Sequence, residues 1–437
     1  MNRHSKIMRG VTSMHTRLGA ALLVMGIMTA GCDLDLVNPN SPTEATVLTD
    51  DDGILGLTVG IQEQFAGAAR HYALPSALVT DEWGPRSRAL PADKAMFEGT
   101  PDPEFGIVAN PFAQTFQIMR TADNIVQNAP NVGLGPALLS GVLATAKLHK
   151  AMAMGRAIQI YEEYPVALAL EGAPPASRDA VLDTVLSLLE SARSDLAGVS
   201  DADLAGFRQR VLDPGIDLRS SIDAVLARYY LIDGQYDAAL EAANRADDEN
   251  ASYYTFSGTE MNTIYQYSSP EQLDYTWPLL SFAREAEAGD QRVAMWTDTL
   301  NLDETVDPVL AAPVAFMERD SPWPLYRPDE MRLIRAEVHA RNGNLLAAID
   351  EINEVRTQCD AGIEDPAPCL PALTLVDLPT AEDVLAQIAY ERRYELFLTG
   401  LRWEDLRRLG QYSGEQAKMD FLPTPKRECD VNPNYPC

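Results

Sequence analysis

Residues 390–408 read YERRYELFLTGLRWEDLRR, two helix-forming runs with a glycine between them. The charged residues between Glu391 and Glu395 are spaced so that opposite charges can pair one helical turn apart. Gly400 suits the left-handed end of a helix. Trp403 is predicted to be a packing anchor rather than a sugar platform, because it lies inside a helical scaffold pattern. The stretch therefore predicts two helices that meet at Gly400, and a marker of fold rather than an active site.

Two segments upstream predict further pairs of helices. From Ala224 to Ala246, small or aromatic residues recur at helical spacing on either side of a turn at Asp233-Gly234-Gln235. From Pro328 to Arg356 the same pattern recurs around Gly343. Small residues at facing positions let two antiparallel helices approach closely, as in tetratricopeptide hairpins.

Two degenerate copies extend this pattern into a series of about four hairpins. The hairpins are expected at approximately residues 111–197, 220–247, 328–357 and 380–410. We expect a mainly all-α fold, in which tetratricopeptide-like hairpins form a right-handed superhelical scaffold beside an irregular, loop-rich ligand-binding region. Unrelated helical pairs are the alternative on periodicity alone. Residues 73–110, which contain five prolines, are predicted to be loop, and Pro111 suits the first turn of the next helix.

An aromatic-rich insertion, residues 251–327, separates the two clear copies and shows little helical period. Irregular segments on a helical scaffold commonly carry ligand contacts. Aromatic rings stack on the apolar faces of sugars or on peptide side chains. The candidate ligand-binding residues are Trp83, Tyr265, Tyr267, Trp277 and Trp296. Any single aromatic is more often core than contact, so the prediction concerns the group.

The N-terminus reads as a lipoprotein signal peptide, residues 1–31. Basic residues precede an apolar run from Leu18 to Ala30, and small residues lead into Cys32. Cys32 is the predicted lipidation site (palmitate), residues 32–42 the tether, and 43–437 a single domain. The alternative is an ordinary secretory leader with a chance cysteine. No later stretch reaches the roughly 18 apolar residues of a membrane helix, so the lipid is the expected anchor.

Four cysteines remain, Cys359, Cys369, Cys429 and Cys437, and outside the cytoplasm they are expected to form disulfides. Three connectivities are possible, and the short spans favour 359 with 369 and 429 with 437. Zinc binding does not fit the spacing, because no CxxC or nearby histidine completes a tetrahedral set. No metal and no cofactor is predicted.

The net charge of −29 disfavours nucleic acid and anionic lipid head groups as partners. Catalytic signatures such as HExxH, GxSxG and the P-loop are missing from the sequence, so we predict that the protein is not an enzyme. The pair Glu162/Glu163 and the run Asp50-Asp51-Asp52 are interpreted as solvated surface or an acidic first turn. Two rival hypotheses are an envelope assembly scaffold of tetratricopeptide type and a lipid-anchored glycoside hydrolase.

Residues 390–408 resemble the signature of the SusD/RagB family, whose usual form is E-R-R-x-E-L, a glycine, then R-W-x-D-L-R-R. Other family-like pieces follow in order: Gly155-Arg156-Ala157 with Tyr161 and Pro165, Leu325-Tyr326-Arg327 through Arg356, and Leu422-Pro423-Thr424-Pro425 with Asn432-Pro433. The resemblance implies a lipoprotein of the cell outer membrane, facing the exterior. It would capture an oligosaccharide or peptide nutrient and deliver it to a SusC-like TonB-dependent transporter.

Overall fold

The computed structural model of the protein describes residues 47–169, 172–257, 259–360, 362 and 366–435. The chain divides into two units, Met1–Val47 and Leu48–Cys437, and the elements below belong to the second. The predicted signal peptide, the tether and the lipidation site Cys32 lie outside the described residues. Within the described ranges, no helix is both long enough and apolar enough to cross a membrane.

Helices dominate the second unit, and the strands are short. The helices are α1 (Asp51–Gly67), α2 (Ala69–Val79), α3 (Pro91–Phe97), α4 (Gly106–Asn128), α5 (Pro136–Ile160), α6 (Arg178–Asp195), α7 (Ala205–Arg210), α8 (Leu218–Ile232), α9 (Tyr236–Ala243), α10 (Thr263–Ser268), α11 (Leu280–Arg284), α12 (Arg292–Trp296), α13 (Pro328–Arg341), α14 (Leu345–Arg356), α15 (Ala381–Glu395), α16 (Arg402–Ser413) and α17 (Lys426–Val431). The strands are β1 (Trp83–Pro85), β2 (Glu163–Tyr164), β3 (Ala176–Ser177), β4 (Ser252–Tyr254), β5 (Thr276–Pro278), β6 (Thr297–Asp303), β7 (Leu310–Pro313) and β8 (Trp323–Tyr326).

The local sequence explains where several helices begin. The side chain of Asp50 accepts a backbone hydrogen bond at the start of α1, and two further aspartates fill its first turn. Negative charge there interacts favourably with the helix dipole. A capping box between Thr380 and Asp383 starts α15. The run Asp50-Asp51-Asp52 is therefore a cap and an acidic first turn, as the sequence predicted.

The helical hairpins are present, and glycines lie where the chain turns. α5 packs on α6, α8 on α9, α13 on α14, and α15 on α16. Gly234 and Gly343 have φ of +78° and +77° in the turns of the two clear copies. Gly400 has φ +82°, and a Cβ atom there would lie 2.8 Å from the carbonyl oxygen of Tyr72. Only glycine meets both conditions without strain.

Residues 73–110 are not the loop that their prolines suggested. They contain most of α2, all of α3 and the start of α4. Pro75 lies inside α2 and Pro111 inside α4, which begins at Gly106, so Pro111 is not a first-turn proline. A proline within a helix removes one hydrogen bond and costs about 3 kcal/mol. Both prolines are buried, and packing against the core offsets that cost.

The insertion at 251–327 has more secondary structure than its sequence indicated. Its described residues form α10 to α12 and the strands β4 to β8. β4 pairs with β8 and β6 with β7, both antiparallel. β5 pairs with β1, which comes from the segment between α2 and α3. This last pairing holds residues 83–85 against the insertion and brings two distant parts of the chain together.

The charged residues of the 390–408 stretch form buried pairs between elements rather than an exposed helix face. The Nε atom of Arg392 lies 2.9 Å from Asp405 on α16. Glu391 lies 2.6 Å from a guanidinium nitrogen of Arg356 on α14. Buried charges are tolerated when they are paired in this way. Trp403 is 1% exposed and its indole N–H donates to a backbone carbonyl at 2.8 Å, so it is the predicted packing anchor.

A disulfide joins Cys359 and Cys369, which are 10 residues apart, just after α14. The partner expected for Cys429 is Cys437, and Cys437 lies outside the described residues. That second pairing stays a prediction.

Candidate functional site

A small cleft opens where α2, the start of α3, the first turn of α4 and helix α10 meet, and its volume is about 180 Å³. Its lining mixes aromatic, charged, amide and apolar side chains. The lining residues are Arg70, His71, Leu74, Pro75, Leu90, Ala92, Asp93, Gly106, Ile107, Asn110 and Tyr267. Of the five predicted ligand-binding aromatics, only Tyr267 lines this cleft.

Tyr267 is placed by the cap of its own short helix. The side-chain oxygen of Asn262 accepts the N–H of Ile264 at 2.8 Å and starts α10. The amide nitrogen of Asn262 donates to the carbonyl of Ser321 at 2.8 Å, which fixes the cap to the segment before β8. The hydroxyl of Tyr267 then reaches across the cleft and donates to Asp93 Oδ1 at 2.6 Å. This bond joins the insertion to α3.

Asp93 is held by both of its carboxylate oxygens. Oδ1 accepts from Tyr267, and Oδ2 accepts the backbone N–H of Leu90 at 3.0 Å. Burial raises the pKa of Asp93 above its usual range, while these two hydrogen bonds and the charge of Arg70 act in the opposite direction. Burial and the neighbouring Asp93 raise the pKa of Tyr267, so its phenol stays protonated.

Two side chains of α2 supply the cleft with nitrogen groups. The guanidinium of Arg70 lies 5.0 Å from the ring centroid of Tyr267, a cation–π contact. Burial and the charge of Arg70 lower the pKa of His71 to about 3. His71 is therefore a neutral imidazole at physiological pH, able to donate one hydrogen bond and accept another.

Tyr275 extends the aromatic surface beyond the cleft. Its half-buried ring meets the ring of Tyr267 edge-on, with centroids 5.2 Å apart. The backbone N–H of Tyr275 donates to the carbonyl of Tyr267 at 3.1 Å, and the carbonyl of Tyr275 accepts the backbone N–H of Arg86 at 2.8 Å. Tyr275 was part of the aromatic region noted in the sequence but not among the candidates. No sequence signal distinguished it from its neighbours, because its partial exposure depends on tertiary packing.

Trp277 does not present a free ring face. It is 5% exposed, and the guanidinium of Arg86 lies 3.7 Å from its ring centroid. Its indole N–H donates to Asp274 Oδ1 at 2.8 Å, and Arg86 in turn pairs with Asp274 and Asp303. An arginine already occupies the position that a sugar ring would take, so Trp277 stabilises the loop instead.

Trp83, Trp296 and Tyr265 are buried in this structure and present no open ring face to a ligand. Trp83 and Trp296 are both 0% exposed, and each packs on Phe397 of the 390–408 stretch. The indole N–H of Trp296 donates to the carbonyl of Tyr394 at 2.8 Å. Tyr265 is 3% exposed. Trp83 and Trp296 are core because β1 and the insertion pack on the C-terminal end of α15 and the residues that follow it.

A larger groove of about 550 Å³ lies elsewhere, between α1 and residues 209–214, 255–257, 260 and 261. None of the five predicted aromatics lines it. The larger groove is lined by the carboxylates of Glu63, Asp213 and Glu260 and by the ring of Phe256, whereas Asp93 is the only carboxylate among the residues that line the smaller cleft. In the described part of the chain, no cluster of three or more His, Cys, Asp or Glu residues could hold a metal ion.

One protein-family model matches part of the chain. The model of the SusD family matches residues 297–434, a range that contains the whole 390–408 stretch. A search of the curated proteins gives no match.

Solved structures share the fold over nearly the whole chain. A SusD superfamily protein from Bacteroides thetaiotaomicron superposes with a TM-score of 0.68 at 14% identity, covering 89% of this chain and 98% of the other. A SusD superfamily protein from Bacteroides fragilis superposes with a TM-score of 0.69 at 15% identity, and the match covers 90% of this chain and 100% of the other. A laminarin-binding SusD-like protein superposes with a TM-score of 0.64 at 16% identity, and the match covers 89% of this chain and 100% of the other. The C-terminal third of the chain therefore matches the SusD family model, and the chain as a whole shares the fold of the SusD superfamily structures.

Proposed function

We propose that this protein is a surface lipoprotein that captures an oligomeric nutrient at the cleft around Tyr267 and delivers it to a partner TonB-dependent transporter of the outer membrane. The observation that carries the proposal is a cleft that joins aromatic rings and convergent polar groups in a chain that has the fold of the SusD superfamily and matches the SusD family model at residues 297–434. One structural neighbour is a laminarin-binding protein, which supports a glycan as the ligand class.

The chemistry of the cleft suits a sugar. Arg70 supplies hydrogen-bond donors, and Asn110 and the neutral His71 each supply a donor and an acceptor. Tyr275 offers a half-exposed ring beside them for the apolar face of a sugar. A peptide would gain from the same ring, but the several side-chain donors and acceptors match closely spaced hydroxyl groups better. We therefore favour a glycan over a peptide.

The size of the cleft indicates how such a ligand would lie. Its volume of about 180 Å³ is below the roughly 300–1,000 Å³ of sites that enclose drug-sized molecules. A single sugar residue would enter, and the rest of the chain would lie across Tyr275 and the neighbouring surface. Binding at one residue is weak, and a lipid tether would compensate by holding the captured glycan at high local concentration beside the transporter.

Anchor, partner and orientation are parts of the proposal that follow from the family and the N-terminal sequence. Cys32 would carry the lipid, and the domain would face the exterior of the outer membrane. The import energy would enter through the transporter, so this chain needs no catalytic step. The single carboxylate lining the cleft agrees with binding rather than hydrolysis, which requires two carboxyl groups.

The test combines a partner assay and a ligand assay on the native lipoprotein. A pull-down from detergent-solubilised outer membranes should recover a stoichiometric TonB-dependent transporter. Affinity electrophoresis against a glycan panel should show retardation that Tyr275→Ala abolishes. Tyr236→Ala is the matched control, because Tyr236 is a half-buried tyrosine on α9 that does not line the cleft.

Each rival function has its own outcome. Recovery with envelope assembly factors alone, and no glycan bound, would replace the proposal by the scaffold hypothesis. Release of shortened glycan products during the binding assay would replace it by the hydrolase hypothesis.

A further inference from the structure

The cleft contains a cation that the protein itself does not neutralise by direct contact. Among the described residues, Arg70 makes no ion pair, and the contact of its guanidinium is the face of the Tyr267 ring at 5.0 Å. Arginines that are partly removed from water usually have a carboxylate partner, as Arg392 and Arg356 do in this fold. Arg70 therefore has donor capacity to offer a ligand.

The one carboxylate that lines the cleft is already engaged. The two oxygens of Asp93 accept from the Tyr267 hydroxyl at 2.6 Å and from the Leu90 N–H at 3.0 Å. Asp93 lies near enough to Arg70 to affect its pKa, but it does not approach within the distance of an ion pair. Asp93 therefore fixes the position of the Tyr267 side chain and leaves the guanidinium of Arg70 available to a ligand.

The other groups facing the cleft add no negative charge. From α2, His71 is neutral, and from α4, Asn110 presents an amide. Two exposed cations lie outside the cleft on the segment that carries Leu90 and Asp93: Arg88 lies 3.6 Å from Asp274, and Lys94 donates to the carbonyl of Ser87. The charged lining of the cleft therefore consists of Arg70 and the already engaged Asp93, on a chain whose net charge is −29.

We propose that the cleft recognises the carboxylate of an acidic sugar, a uronate residue of the captured glycan, with Arg70 as the carboxylate-binding residue. This inference rests on the proposed function and specifies its ligand. The planar guanidinium can form two parallel hydrogen bonds with a carboxylate, which gives orientation as well as affinity. Asn110 and His71 would then contact the ring hydroxyls, and Tyr275 the next residue along the glycan.

The experiment measures binding of matched glycans to the full-length protein by calorimetry. The probes are glucuronate and galacturonate oligosaccharides, each compared with its carboxyl-reduced, neutral counterpart. The variants are Arg70→Gln, which removes the cation, and Arg70→Lys, which keeps the charge but loses the planar fork. Arg284→Gln is the matched control, because Arg284 is an exposed arginine of α11 that does not line the cleft. Thermal unfolding checks that each variant is folded.

The expected result is tighter binding of at least one uronate than of its reduced form. A hydrogen-bonded charge pair predicts that Arg70→Gln weakens uronate binding by about 10- to 150-fold. Arg70→Lys should have an intermediate effect, and Arg284→Gln should have none. Equal binding of uronate and reduced forms, with equal sensitivity to Arg70→Gln, would overturn the inference and leave the glycan-capture proposal standing. Binding of no glycan at all, by a folded protein, would overturn both.

Discussion

Replacing Glu82 by glutamine should stabilise the protein at neutral pH and not at acidic pH. Glu82 immediately precedes β1 and is 1% exposed, and its Oε1 atom has no hydrogen-bond partner among the described residues. Burial raises the pKa of Glu82 to about 8, although Arg402 and Arg393 act to lower it. In the unfolded chain the pKa returns to its ordinary value of 4.5. The folded state therefore binds a proton that the unfolded state has released.

The magnitude follows from proton linkage. Between pH 4.5 and pH 8 the folded state binds more protons, so stability decreases as pH rises, by about 1.4 kcal/mol per pH unit. Glutamine is neutral in both states and has almost the same shape. The difference in the free energy of unfolding between Glu82→Gln and wild type should therefore widen by about 3 kcal/mol from pH 5 to pH 7.

Urea denaturation at pH 5, 6 and 7 measures this difference directly. Other titrating groups cancel, because they are common to both proteins, and any fixed packing effect of the amide is present at every pH. Glu98→Gln is the control, an exposed glutamate at the end of α3. Parallel stability curves for Glu82→Gln and wild type would refute the reasoning, because they would show that Glu82 is ionised in the folded protein.

Three further changes test the scaffold and the cleft. Gly400→Ala should destabilise by at least about 1–2 kcal/mol, since φ is +82° and a Cβ atom would meet a backbone carbonyl; urea denaturation measures it, and an unchanged midpoint would contradict it. The double variant Cys359→Ser with Cys369→Ser should lose about 2–3 kcal/mol of unfolding free energy in urea denaturation, because the unfolded chain is no longer cross-linked. Reducing agent should then destabilise the double variant less than the wild type, and an equal effect on both would contradict the prediction. Tyr267→Phe should lower the free energy of unfolding by about 1–3 kcal/mol at pH 7, because Asp93 loses a hydrogen-bond donor. The loss should be smaller at pH 3, where the carboxyl is protonated. Urea denaturation at both pH values measures the difference, and an equal loss would show that the hydrogen bond to the charged carboxylate is unimportant.

The helical hairpins could be predicted because their signals are local. Small residues at helical spacing and glycines at the turns act within a few residues of each other, and Gly234 and Gly343 have the positive φ that such turns require. The prediction of a loop at residues 73–110 is wrong because it also used only local signals. Its prolines indicate loop locally, whereas the burial of Pro75 inside α2 depends on contacts with the rest of the core.

The cleft could be predicted only in part. The aromatic composition of the insertion indicated a contact region, and Tyr267 does line the cleft, but Trp83 and Trp296 are fully buried in the core. Aromatic residues suit a core and a binding surface equally well, so composition cannot separate the two roles. Arg70 and Asp93 were missed because neither belongs to a motif. Their significance comes from the residues that surround them.

The helical hairpins, the glycine turns and the SusD-like signature at 390–408 are predictable from local sequence, since each depends on residues that are neighbours along the chain. The set of side chains that line the candidate site depends on tertiary packing. The hydrogen bond between Tyr267 and Asp93 joins residues 174 positions apart, and the pairing of β1 with β5 joins segments that are even farther apart in the chain. Contacts of that range form when the whole core packs, because burial of apolar surface from every element holds them together.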